Sequence, residues 1–157
     1  MKKISSISII QDPDYDADMS DLGTFGPEPK DKFAVNHHKA QGFANRNTFE
    51  WFNPQPGICE TKKDALSIYE RMMDYEKGNW YMLSISATAH IQTSQDGKTW
   101  KLDKITSGGL YGIESDADES DKKEIASDQL QELKTTLQEF GFTKEEIDAA
   151  PIETKTK

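Results

Sequence analysis

The chain has 157 residues with ten Gly and six Pro spread along it, a length that fits one domain and excludes collagen, coiled-coil and solenoid architectures. Only 34 % of the residues are hydrophobic, yet three Trp, five Tyr and seven Phe supply burial area that a disordered chain of this polarity lacks; no apolar run approaches the roughly 18 residues of a membrane span. Nineteen Lys plus Arg against 28 Asp plus Glu give a net charge of −9, which repels phosphate backbones and anionic lipid and points to a basic protein partner, with no direct nucleic acid and no membrane.

Residues 3–11 are rich in β-branched side chains and partly alternate, and Asp12-Pro13 stops them, so a first strand is expected. Lys2 and Lys3 ahead of Ile4, Ile7, Ile9 and Ile10 mimic an export signal, but serines interrupt the run and no cleavage pattern follows, so the expected location is cytoplasmic. Residues 12–47 carry no sustained period, with Tyr15, Phe25, Phe33 and Phe43 scattered among Asp, Gly, Pro, Asn and His; they read as one long irregular loop. Residues 48–53 form a short strand closed by Pro54 and Pro56, with Phe49 and Trp51 on one face and Phe52 on the other.

Thr61 with Asp64 three residues later is a capping-box start, and Ala65, Ile68, Met72 and Tyr75 make the apolar stripe of a helix that stops at Gly78-Asn79. From Trp80 to Thr93 alternation is clearest: Tyr81, Leu83, Ile85, Ala87, Ala89 and Ile91 face one way, Ser84, Ser86, Thr88, His90 and Gln92 the other. Asp96-Gly97 turns this strand into a return strand holding Trp100, Leu102 and Ile105, with a bulge expected where the parity slips. The glycines of Ser107–Ile113 predict a bend that tucks Leu110 and Ile113 into the core. Ala126, Leu130, Leu133, Leu137 and Phe140 form one stripe of a helix ended by Gly141, and Thr143 with Glu146 starts a short last helix before Pro151. The sum is an α+β domain over residues 1–152: a small antiparallel sheet with a central hairpin at about 80–106, packed against two main helices at about 61–77 and 120–140, and a disordered tail at 153–157.

The charge is unevenly placed. Asp12, Asp14, Asp16, Asp18 and Asp21 lie in a segment without a base, and residues 114–128 hold seven acids against Lys122 and Lys123, so the rest of the chain is nearly neutral. Counted from Asp12 or from Asp116, neither segment meets EF-hand spacing: positions 6 and 12 are Ala17 and Gly23 in the first, Asp121 and Ser127 in the second. His37, His38, Cys59 and His90 lack zinc-ligand spacing, so no metal and no cofactor are expected. The lone Cys59 excludes an internal disulfide and reads as structural, and Ser107-Gly-Gly-Leu-Tyr-Gly matches no phosphate-binding loop. No carboxylate pair is singled out for acid–base chemistry.

Asp18-Met-Ser20-Asp-Leu22-Gly23, the aromatic segment Phe49–Phe52, Gly78-Asn-Trp80, and Ser107-Gly-Gly-Leu-Tyr-Gly-Ile-Glu-Ser-Asp116 before an acidic helix start resemble a family of small uncharacterised acidic proteins encoded by bacteriophages, plasmids and integrated elements; Tyr111 stands where that pattern carries Trp. The family brings no established activity and no site residues. The resemblance implies work against host defence, on element genes or on host metabolism. The expected function is therefore non-enzymatic: binding of a basic, nucleic-acid-handling host factor by phosphate mimicry, as an anti-restriction or anti-CRISPR protein does. The expected contact residues are Asp14, Asp16, Asp18, Glu114, Asp116, Asp118 and Glu119. The alternative is a divalent-cation-binding protein or cation-dependent enzyme using the same carboxylates; a third reading gives the 12–47 loop a virion or replication partner. Pairing of the first strand beside the 99–106 strand would bring the two acidic segments together.

Overall fold

In chain order the structure, a computed structural model that describes residues 1–41 and 49–157, runs through β1 (Lys2–Asp14), β2 (Gly23–Gly26), β3 (Val35–Asn36), α1 (His37–Gln41), β4 (Trp51–Pro54) and α2 (Lys62–Glu76). It continues with β5 (Met82–Thr93), β6 (Lys101–Thr106), β7 (Leu110–Glu114), α3 (Glu119–Glu139), α4 (Lys144–Ala149) and β8 (Ile152–Thr156). The end of the expected 12–47 loop, with Phe43, and Thr48 of the expected 48–53 strand lie outside the described residues. The fold is α+β, and it divides into two units, Met1–Tyr15 with Tyr81–Lys157, and Asp16–Trp80.

The first unit is built on β5. Its alternation becomes a buried row of Leu83, Ile85, Ala87, Ala89 and Ile91, and β1 pairs antiparallel along its whole length, from Lys2 opposite Thr93 to Asp14 opposite Met82, adding Ile7 and Ile9 to that row. The extra residue of a bulge is accommodated between Ile4 and Ser6. On the other side of β5, β6 closes the expected hairpin from Thr88 opposite Thr106 to Thr93 opposite Lys101, without the expected bulge. The Asp96 carboxylate accepts the Lys98 and Thr99 N–H groups at 2.9 and 2.8 Å, so the turn geometry itself absorbs the shift in parity. As a result Leu102 stands opposite Gln92 on the polar face, 79 % exposed, while Ile105 packs on the core.

The tail expected to be disordered is β8, parallel to β1 from Ile7–Ile152 to Gln11–Thr156. Its alternating Ile152, Thr154 and Thr156 carry β propensity, but only the open edge of β1 gives the segment backbone partners. The sheet order is β6-β5-β1-β8, with β7 also on β5, so this sheet is mixed and not wholly antiparallel. Small Ala87 and Ala89 leave room for α3, whose Leu133 and Leu137 are fully buried and contribute about 1.5–3 kcal/mol each by removal from water. Ala126 and Leu130 pack partly on the same core, but Phe140 is 60 % exposed. Gly141, at φ +87, turns the chain as its N–H bonds the Gln138 carbonyl and that of Phe142 bonds Leu137, so Phe142 is buried in place of Phe140. The Thr143–Glu146 capping box starts α4 and seats Ile147.

In the second unit β4 lies between β2 and β3, and fully buried Phe52 packs with Tyr69, Met72 and Met73 of α2. The Thr61–Asp64 capping box is present, and α2, expected on the hairpin sheet, buries its apolar face in this separate core. Part of the expected long loop is therefore β2, β3 and α1; elements of two to five residues are too short to register a period in the sequence. Gly23 is required where β2 meets β4: a Cβ there would lie 2.5 Å from the Asn53 carbonyl oxygen and 2.6 Å from the Phe52 ring.

Candidate functional site

Two of the expected contact acids meet where β1 and β7 end on opposite sides of β5. Asp14 closes β1 and Glu114 closes β7, and both stand opposite Met82. Residues directly opposed in a sheet project to the same face, so the two carboxylates flank Met82 with their strands roughly 9–10 Å apart. Asp12 shares that face, 3.8 Å from the Lys157 ammonium. The strand β1 reaches this position by pairing with β5 itself, not with the 99–106 strand.

From Glu114 the acids continue into α3. The Ser115 N–H donates to the Tyr81 carbonyl at 2.8 Å and its hydroxyl accepts the Tyr81 N–H at 2.9 Å, fixing the turn that carries Asp116. Asp118 is the N-cap of α3, its carbonyl accepting from Asp121 and Lys122, and Glu119 and Asp121 lie in the first turn, where the helix dipole favours negative charge. Lys122 is buried: its ammonium donates to the Ser115 carbonyl at 2.7 Å and to Glu119 at 3.0 Å, which ties the helix start to the turn before it. Exposed Tyr15 stacks obliquely on Tyr81, with ring centroids 5.8 Å apart, beside Asp14.

Asp16 and Asp18 belong to the second unit. The Ser20 N–H at 2.9 Å holds the Asp18 carboxyl below the usual carboxylate range, the mark of a local turn. Of the seven expected contact residues, the structure thus places Asp14, Glu114, Asp116, Asp118 and Glu119 in one unit, two of them in direct register, and Asp16 and Asp18 in the other.

Two polar clusters had no motif to announce them. Buried Gln129 of α3 accepts the Ser107 hydroxyl at 2.7 Å and the Gly109 N–H at 2.8 Å, while Glu132 accepts the Gly108 N–H at 2.7 Å. The Gly-rich bend is therefore gripped through its backbone and aims β7 along β5, which places Glu114. Leu110, expected in the core with Ile113, is exposed: it stands opposite buried Ile85, but the register slips between that pair and Leu83–Ile113, and only Ile113 joins the core. On the opposite face the fully buried Ser8 hydroxyl donates to Glu153 at 3.1 Å and lies 3.3 Å from His90 Nε2. The hydroxyl stands between base and acid, whereas an activated serine needs the histidine in the middle, so this is a strand-joining network. Lys155, then Ser8, holds the Glu153 carboxyl below its ordinary range.

His37 is buried in the second unit, Nδ1 2.8 Å from the Tyr69 hydroxyl and edge-on to Phe25. Burial, then His38, lowers its affinity for a proton, against a smaller opposing effect of Glu76. Burial, Asp64 and Asp31 push the Cys59 thiol up, the reverse of what a nucleophile needs. Among the described residues, no group of three or more His, Cys, Asp or Glu side chains gathers so as to hold a metal ion. No helix among them is long and apolar enough to cross a membrane. Comparison with family models, with curated proteins and with solved structures found no match.

Proposed function

We propose that the chain is a non-enzymatic binding protein whose acidic sheet edge engages the basic surface of a nucleic-acid-handling protein, in the manner of an anti-restriction or anti-CRISPR factor of a phage or mobile element acting in the host cytoplasm. The observation that carries the reading is the common register of Asp14 and Glu114 on Met82, continued by Asp116, Asp118 and Glu119 into α3. A groove that reads phosphates presents Lys and Arg at intervals; carboxylates on a rigid strand end and helix start meet the same field and exclude the nucleic acid. Tyr15 supplies an exposed aromatic at the rim of the patch, a residue type favoured at interfaces.

The test is capture from host lysate followed by competition. The captured protein is expected to be basic, to release the chain as salt rises, and to lose its own duplex DNA to the chain. The variant D14N/E114Q/D116N/D118N keeps shape and removes charge, and it should neither bind nor displace DNA. Retained displacement by that variant refutes the proposal.

A further inference from the structure

The same sheet carries the opposite charge at its other end. Lys3 stands opposite Gln92, which stands opposite Leu102; one step along, Ser6, His90 and Lys104 are opposed in the same way. These residues share the face that α3 leaves open. Lys3 lies over the Trp100 ring, 4.5 Å from its centroid, and Trp100 is 36 % exposed. A hollow of about 300 Å³ opens beside them, lined by Ser5, Ser6, His90, Leu102, Asp103 and Lys155. Cations outnumber anions here: Lys3, Lys98, Lys104 and Lys155 against Asp96, Asp103 and Glu153, of which Glu153 is paired with Lys155 at 2.8 Å and the Asp96 carboxylate is already taken up by the N–H and hydroxyl groups of its turn. The ammonium of Lys2 is engaged elsewhere, on the Phe140 carbonyl and over the Phe142 ring.

We propose that this open basic face, Lys3, Trp100, Leu102, Lys104 and the His90 hollow, with Lys98 in the turn beside it, binds a single-stranded nucleic acid. Its chemistry matches the two demands of such a ligand. A row of lysines tracks the phosphates, and an exposed indole, an exposed leucine and a shallow polar hollow receive unstacked bases. A duplex keeps its bases stacked and has no use for Trp100 or the hollow. An acidic peptide uses the lysines but not the stacking surface. The acidic end of this sheet does not oppose this, because it is remote: Lys3 and Asp14 are eleven residues apart on β1, about 36 Å, while the Debye length at physiological salt is about 8 Å. The inference uses residues distinct from the acidic edge and stands or falls separately from the function proposed above.

The experiment is fluorescence anisotropy of the full chain with a labelled oligothymidylate of about 12 nucleotides, read at about 50 and 300 mM NaCl. Three neutralised phosphates give a logarithmic salt slope near −2, so affinity should fall about 40-fold across that range. K3E/K104E, two exposed positions, should abolish binding, and W100A should weaken it roughly tenfold while leaving the salt slope unchanged. The variant D116N/D118N should bind the oligonucleotide as the parent does. The proposal is overturned by no binding at the lower salt, by undiminished binding of K3E/K104E, or by equal competition from duplex DNA or polyglutamate.

Discussion

Replacing Gln129 by Met tests whether the Gly-rich bend is held by α3 or merely lies beside it. The substitution conserves volume but removes the oxygen that accepts the Ser107 hydroxyl and the Gly109 N–H, leaving one buried and one half-buried donor without it. Each stranded donor costs about 1–3 kcal/mol, so the pair should cost about 3 kcal/mol, or roughly 6–12 °C in Tm for a chain of this length. Ser107 also accepts the Ala87 N–H at 2.9 Å, which ties the network to the centre of β5. Urea unfolding of Q129M, S107A and the double variant forms a cycle, in which a coupling of about 1–2 kcal/mol is expected because the two side chains share one hydrogen bond. Since the bend aims β7, Q129M should also weaken partner binding at the acidic edge although it removes no charge. A cost below about 0.5 kcal/mol, or additive single effects, would refute the reasoning.

Two further outcomes concern the second unit, read through Trp51 and Trp80 fluorescence. His37 favours its neutral form in the folded state, so the unfolded chain takes up the proton first: stability is full above the ordinary histidine value of 6.5 and declines as pH falls below it. H37Q should flatten that decline, and an unchanged pH profile counts against the buried His37–Tyr69 contact. G23A should lower the urea midpoint by an amount worth about 1–3 kcal/mol, because the new methyl meets the Asn53 carbonyl and the Phe52 ring, neither of which has room to move. G26A meets only Asn53 Nδ2 at 3.6 Å and should leave the midpoint unchanged; equal effects of the two would sink the close-packing account.

What the sequence by itself determined is local. Thr61 with Asp64 and Thr143 with Glu146 start helices because an N-cap hydroxyl and a carboxylate three residues on satisfy donors within one turn. The alternation of Leu83 through Ile91 and the Asp96-Gly97 turn fix a hairpin for the same reason, since period and turn geometry involve only neighbours in the chain. Tertiary structure decided whatever depends on a partner far along the chain. The exposed, polar segment Ile152–Thr156 is a strand only because β1 offers an open edge, and Leu102 faces solvent because the β5–β6 register does not slip. Likewise, α2 buries its stripe against Phe52, which no periodicity names as its partner. The charge map divides in the same way: two acidic segments are visible in the sequence, but Asp14 and Glu114 meet only through Met82. The basic face is hidden altogether, since Lys3 and the 98–104 lysines lie some ninety-five residues apart and are joined by the pairing of β1, β5 and β6. A one-dimensional count averages opposite charges that the sheet separates by several Debye lengths, and only the separation gives each end its own field.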